Sequence, residues 1–309
     1  MRGAFVRTLT ELAAADERIL LLTGDLGFMA LEPFHDRFPG RFFNMGVAEQ
    51  NMVGVATGLA EAGFVPYVYS IATFAVLRPY EFIRNGPIWH ALPVRIVGIG
   101  GGFEYGTQGL SHHAVEDLGV MRIQPGIRVI APADHRQAEA AIRQSWDHPG
   151  PIYYRLGKDD RTTVPGLDGR FTPDGIDTIG DGTDVALVAT GSVAVEAVAA
   201  ADLLRERGVS ATVAIVSTLQ PAPEAALAAL LRRVPRALSV EAHYVTGGVG
   251  SLVAEVIAEH ALPCRLVRCG VRAVSDGRSG SQQYMHARHG LTRTGLAETA
   301  LAALARPGT

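Results

Sequence analysis

The sequence predicts an α/β protein of two doubly wound domains, each built on a mostly parallel sheet. Three observations lead there. Along two regions, short apolar runs of strand length alternate with longer segments of helical period. Several of those runs stop abruptly at glycine. Between the regions lies a stretch rich in Gly, Asp, Thr and Pro that has no period and reads as a linker with a short strand or two. A length of 309 residues suits about two domains. The boundaries read as a first domain over 1–160, a linker over 161–183 and a second domain over 184–309.

In the first region, residues 4–15 read as a helix from the spacing of Phe5, Leu9, Leu12 and Ala13. Ile19 to Thr23 is a buried strand stopped by Gly24-Asp25, and 41–44 is a second strand ending at Met45-Gly46. Residues 48–62 form a helix whose Gly54, Ala56, Gly58 and Ala60 suit close contact. A strand follows over 65–71, a helix over 74–90 and a strand over 94–98. After a glycine-rich loop at 100–109 come a helix near 113–121, a strand at 127–130, a helix at 134–147 and a strand at 151–155. The second region gives strands at 185–189, 211–216, 238–241 and 264–268. Its helices fall at 192–207, 223–232, 249–260 and 291–305. Ligands of such sheets bind beyond the carboxyl ends of the strands. The loops after residues 22, 44, 71, 98 and 155 are therefore the places to search.

Composition removes several classes of function. Apolar residues make up 48% and charged residues 19%, which excludes a largely disordered chain. Lys and Arg total 28 against 31 Asp and Glu, so there is no basic footprint for nucleic acid. The two cysteines, Cys264 and Cys269, exclude a disulfide framework and have no metal-ligand company, so a cytoplasmic setting is expected. No run of about 18 apolar residues predicts a membrane span. The first residues lack the apolar core of a secretion signal.

Taken alone, Glu49 is a carboxylate in the first turn of a helix that follows a strand and a glycine. Such a residue complements the helix dipole. Gly46-Val47-Ala48-Glu49-Gln50-Asn51-Met52 does more, because it resembles the signature of the pyrimidine-binding domain of the transketolase superfamily. Thr23-Gly24-Asp25-Leu26-Gly27, Ala72-Thr73-Phe74, Gly109-Leu110-Ser111-His112-His113, Tyr153-Tyr154-Arg155 and the stretch Glu241 to Ser251 extend the resemblance over nearly the whole chain, in order. The chain is most similar in appearance to the C-terminal half of a split transketolase. It also resembles the matching half of 1-deoxyxylulose-5-phosphate synthase.

The resemblance implies thiamine diphosphate as cofactor. The carboxyl matching Glu49 hydrogen-bonds N1′ of the aminopyrimidine, which helps the neighbouring amino group take the proton from thiazolium C2. Phe74 is implied to stack on the pyrimidine ring, Tyr80 to form part of the ring wall, and Asp25 to lie at the mouth near the thiazolium. Leu77 falls where transketolases often carry a second aromatic. His112 is implied to face the donor's first carbons as a catalytic and substrate-binding group, with His113 beside it. Gly100 and Gln108 stand where transketolases place a His and an Asp, so Gln108 becomes a candidate substrate contact. Arg155 and Arg2 match phosphate-binding positions, where a guanidinium suits bidentate contact. A family Ser that joins them reads as Met29 here.

The family's diphosphate-binding domain is not found in the sequence. Gly180-Asp181-Gly182 lies in the linker without the Asn pair that the diphosphate motif requires. No metal ligand is assigned to this chain. The expectation is half of an active site, completed by a separate diphosphate-binding subunit that holds most of the Mg²⁺ coordination. The simplest assembly is an α2β2 heterotetramer around a homodimer core, acting on small sugars. The favoured reaction is ketol transfer from a ketose to an aldose. The alternative is a β-type subunit of a decarboxylating enzyme, like 1-deoxyxylulose-5-phosphate synthase or the 2-oxo acid dehydrogenases.

Overall fold

The computed structural model describes residues 1–273 and 276–305. Residues 274–275 and 306–309 of the expected second domain lie outside the described residues.

Two sheets organise the chain. The first has seven strands: β1 (Ile19–Thr23), β2 (Phe42–Asn44), β3 (Val65–Ile71), β4 (Arg95–Ile99), β5 (Arg128–Ile130), β6 (Ile152–Leu156) and β10 (Thr218–Gln220). The second has five: β7 (Asp177–Ile179), β8 (Val185–Ala189), β9 (Ala211–Ile215), β11 (Arg236–Tyr244) and β12 (Arg265–Val271). In the first sheet the order is β10-β5-β6-β4-β3-β1-β2, and every pairing is parallel except β10 with β5. In the second the order is β12-β11-β8-β9-β7, and only β7 with β9 is antiparallel.

The central strands β1, β3, β4 and β6 are buried along their whole length. A strand covered on both faces has no polar face to show, hence their near-continuous apolar runs. The helices α1 (Arg2–Ala15) and α7 (His135–Ser145) cover one face through Phe5, Leu9 and Ile142. Asp134 caps α7 by accepting from the Gln137 N–H at 2.8 Å. On the other face α3 (Glu49–Glu61) packs with Met52, Val53 and Ala56. That same cluster continues through Val188, Leu227 and Val253 of the second domain, so the two sheets share one core.

Several elements differ from the sequence expectation. The stretch expected as one helix over 74–90 is divided into α4 (Ala72–Leu77), α5 (Tyr80–Ile83) and a wide helical turn over 84–88. Pro79 and Pro87 supply no N–H there, which breaks the helical ladder. The helix expected near 113–121 is α6 (Asp117–Arg122), preceded by a tight turn over 110–112. The helices α2 (Glu32–Arg37) and α11 (Gln282–Arg288) have no counterpart in the sequence reading. β10 leaves the second region to edge the first sheet, whereas β7 is a short strand of the kind expected in the linker. The remaining helices are α8 (Ala194–Glu206), α9 (Glu224–Leu231), α10 (Val249–Glu259) and α12 (Arg293–Ala305).

Candidate active site

The carboxyl ends of β1, β2, β3, β4 and β6 open onto one edge of the first sheet, and the chain's candidate chemistry gathers there. After β2, Gly46 turns the backbone at φ +70 and α3 begins with Glu49. The Glu49 side chain is 2% exposed. Its Oε1 accepts from the Ser70 hydroxyl at 3.1 Å, and Arg78 Nη1 donates to both carboxylate oxygens at 2.9 and 2.8 Å. Gly24, at the β1 exit, lies against the same carboxyl: a Cβ built there would sit 3.4 Å from Oε1. Asp25 follows with φ 58, accepting from Asn44 Nδ2 at 2.8 Å, so the exits of β1 and β2 are tied.

After β3, Phe74 sits in the first turns of α4. The Arg78 guanidinium carbon lies 3.8 Å from the Phe74 ring centroid. His112 meets the same ring edge-on, with centroids 5.0 Å apart, and its Nδ1 is 3.0 Å from the Ser111 hydroxyl. Burial holds the His112 imidazole below its usual pKa, and the charges of Arg78 and His113 act in the same direction. Glu49, Phe74, His112 and Arg78 thus form one contiguous cluster.

Further out, the cluster turns cationic. The Tyr105 ring is 6.1 Å from His112, and Lys158 Nζ lies 4.0 Å from the Tyr105 centroid. Gly100 has φ +79, and a Cβ there would overlap the Tyr105 ring. Only glycine lets that ring lie on the β4 exit. Lys158 also donates to the Glu104 carbonyl at 3.2 Å. Burial lowers the Lys158 pKa; Glu104 opposes the shift and Arg2 adds to it. Arg2 opens α1 and acts electrostatically on Tyr69, Tyr105 and Lys158. A path therefore runs from a buried carboxyl, past an aromatic face and an imidazole, to two cationic side chains.

Residues 1–162 match the family defined as Transketolase, pyrimidine binding domain, and residues 175–296 match Transketolase, C-terminal domain. The chain belongs to the transketolase family. It is 33% identical over 305 residues to an apulose-4-phosphate transketolase subunit of Phocaeicola vulgatus, covering 97% of this chain and 96% of that one. It is 34% identical over 293 residues to the 6-deoxy-6-sulfo-D-fructose transketolase subunit SqwH of Clostridium sp. strain MSTE9, covering 94% and 90%. Among solved structures it is similar to one described as split gene transketolase, inactive beta4 tetramer, with TM-score 0.88, 35% identity and coverage of 98% and 97%. The chain is one subunit of a heteromeric transketolase, and the family depends on thiamine diphosphate.

The cluster offers what the pyrimidine end of that cofactor would need: a buried carboxyl for a ring nitrogen and an aromatic face for stacking, with an imidazole beside it. Among the described residues, no group of three or more His, Cys, Asp or Glu could hold a metal ion.

Four other residues expected at the site bond to the protein itself. Arg155 is buried and committed: its Nε donates to Asp117 Oδ2 at 2.9 Å and its Nη2 to the carbonyls of Ala114 and Ala242 at 2.8 and 3.0 Å. It bolts the two domains together. His113 is buried too, with Nε2 3.1 Å from the Gly106 carbonyl and its ring edge-on to Phe103. Tyr80 points its hydroxyl at α6, donating to the Val120 carbonyl at 2.8 Å and accepting from Gln124 at 2.5 Å. Gln108 stands exposed, its Oε1 taken by the Thr107 hydroxyl at 2.9 Å.

Three site residues escaped the sequence reading. Arg78 follows Phe74 by four residues, the helical spacing that puts two side chains on one face. Lys158 lies two residues past β6, within a loop already marked for search. Ser70 carries no signal, because only the pairing of β3 beside β1 aims its hydroxyl at Glu49.

Proposed function

We propose that this chain is the pyrimidine-binding half of a two-component transketolase that moves a two-carbon ketol unit from an anionic ketose to an aldose. The observation that carries the reading is the buried Glu49 beside Phe74 and His112. Glu49 would hold N1′ of the aminopyrimidine and support the proton relay there. Phe74 would hold the ring by stacking, contributing about 1 kcal/mol beyond burial. His112, kept neutral by its surroundings, would hydrogen-bond the donor's carbonyl or hydroxyl and carry a proton. When bound, thiamine diphosphate supplies the carbon nucleophile and electron sink for breaking a ketose carbon–carbon bond.

Arg2 and Lys158 would grip the anionic end of the sugar, and Lys158 takes the place that sequence gave to Arg155. The two relatives named above act, by their names, on a phosphorylated and a sulfonated sugar. An anionic tail is their shared chemistry, and it supports this role for the cationic end of the path.

A diphosphate-binding chain would complete the site, carrying Mg²⁺ with the cofactor's phosphates. An α2β2 assembly is the simplest arrangement. Phe28, Met29 and Trp89 stand exposed, which supports a partner surface. A cytoplasmic setting fits Cys264 and Cys269, both free thiols. Gly100 and Gln108, at positions where transketolases carry His and Asp, favour one second reading: a decarboxylating relative that works on a 2-oxo acid.

The test mixes the chain with its diphosphate-binding partner, thiamine diphosphate and Mg²⁺. Ketol transfer from a ketose phosphate that needs both chains and is lost in Glu49→Gln is the expected result. Release of CO2 from pyruvate would select the decarboxylating reading instead. An unimpaired Glu49→Gln enzyme would overturn both.

A further inference from the structure

Arg78 stands one helical turn beyond Phe74 and reaches back over it. Its guanidinium carbon lies 3.8 Å from the Phe74 ring centroid while Nη1 straddles the Glu49 carboxylate at 2.9 and 2.8 Å. These are the two side chains that would hold the aminopyrimidine, one by stacking and one by a hydrogen bond. A flat group that meets both at once uses the surfaces that such a ring would need.

We propose that Arg78 is a displaceable stand-in for the aminopyrimidine, an internal occupant that exchanges with the cofactor. The inference rests on the function proposed above. The chemical match is close: a guanidinium is planar, stacks on aromatic faces and offers N–H donors to a carboxylate. The Glu49–Arg78 pair is also unequal. The Glu49 side chain is 2% exposed and begins a packed helix, whereas Arg78 is 41% exposed on a long flexible stem. Arg78 is therefore the member that leaves, by side-chain rotation alone.

Departure without replacement would leave a buried carboxylate with the Ser70 hydroxyl as its remaining side-chain donor, which is unfavourable. Arrival of the ring removes that obstacle. Until then Arg78 keeps Glu49 and Phe74 in their working positions. The cost of this arrangement is apparent affinity, reduced by the fraction of molecules in which Arg78 is in place.

The test is a calorimetric titration of thiamine diphosphate with Mg²⁺ into the chain reconstituted with its diphosphate-binding partner. Wild type is compared with Arg78→Met, which keeps an unbranched stem but has no guanidinium and no N–H. The expected Kd of Arg78→Met is about tenfold lower. An equal or higher Kd overturns the stand-in role and leaves the thiamine diphosphate reading intact; no binding by the wild-type pair overturns both. A second measurement needs no variant. The Arg78 Nε–H resonance, displaced by the Phe74 ring current, is expected to move toward the free-arginine position as cofactor saturates the wild-type protein. A resonance that stays in place at saturation overturns the proposal.

Discussion

Glu49 in the first domain and Glu241 in the second are both buried glutamates set at the start of a helix, and their partners differ in kind. Glu241 stands on β11 and accepts from the first amides of α10, Val249 N–H at 2.8 Å and Gly250 N–H at 2.9 Å. Burial pushes its pKa up to about 7, with those amides pulling it back. The helix is docked so closely that a Cβ at Gly248 would overlap Glu241 Oε2. Backbone amides of a docked helix cannot leave without unfolding it. Glu49 is answered by side chains, and the main one reaches solvent. Burial of a carboxylate does not by itself mark chemistry. A partner that can be exchanged does.

The comparison can be broken or sharpened by measurement. The largest expected effect is on Glu49→Gln, whose kcat/KM for ketol transfer should fall about a thousandfold. That corresponds to about 4 kcal/mol of barrier, while the melting temperature stays within a few degrees of wild type. Arg155→Met should lose a similar amount in stability instead. It leaves Asp117 charged and buried, at a cost of about 3–5 kcal/mol in urea denaturation. Glu241→Ala should cost about 3 kcal/mol of stability by leaving two buried N–H groups unpaired, with the folded fraction keeping its kcat. A stable but inactive Glu241→Ala would erase the distinction drawn above.

A pH titration gives a smaller effect of defined sign. Burial lowers the His286 pKa to about 4, so between pH 6.5 and 4 the unfolded chain binds a proton that the native chain refuses. Stability from this group falls as pH falls through that window. Glu241 runs the opposite way, since its native pKa is raised: its contribution is full below about pH 4.5 and is lost as pH rises toward 7. His286→Leu should therefore lose up to about 2 kcal/mol less than wild type between pH 7 and pH 5, measured by urea denaturation at each pH. The smallest effect is on Lys158→Met, which should raise KM for an anionic donor roughly tenfold, ~1.4 kcal/mol, with kcat little changed. An equal KM change for a donor without the anionic group would sink the role given to Lys158.

How much of this was legible depended on the range of the contact that sets each feature. The parallel strands read clearly because burial on both faces makes them apolar runs, as at Val65–Ile71. The long helix expected after them did not survive Pro79 and Pro87, both already visible in the chain. β10 was invisible as a strand of the first sheet, since a three-residue strand has no period and takes its partner from another domain. The protein partners of Arg155 were hidden for a related reason. An arginine at a strand exit looks available until the second domain arrives to place the Ala242 carbonyl against it.

By itself, the sequence determined the class of the fold, the strand exits to search and the glutamate on which the proposed chemistry centres. Those follow from local rules, namely period, turn residues and a signature of consecutive positions. Only the tertiary structure decided which charged groups face the site and which are spent inside. His243 accepts the Gly119 N–H at 3.1 Å and the Tyr244 N–H donates to the Val115 carbonyl at 2.7 Å, so the second domain pins the loop that carries His112. The same docking buries Arg155 and leaves Lys158 and Arg78 beside the path. A charge in a chain has no direction until packing settles whether its partner is a neighbouring domain or a ligand. That choice is made by desolvation and hydrogen bonding across more than a hundred residues of sequence, as in the 124-residue separation of Gly119 and His243.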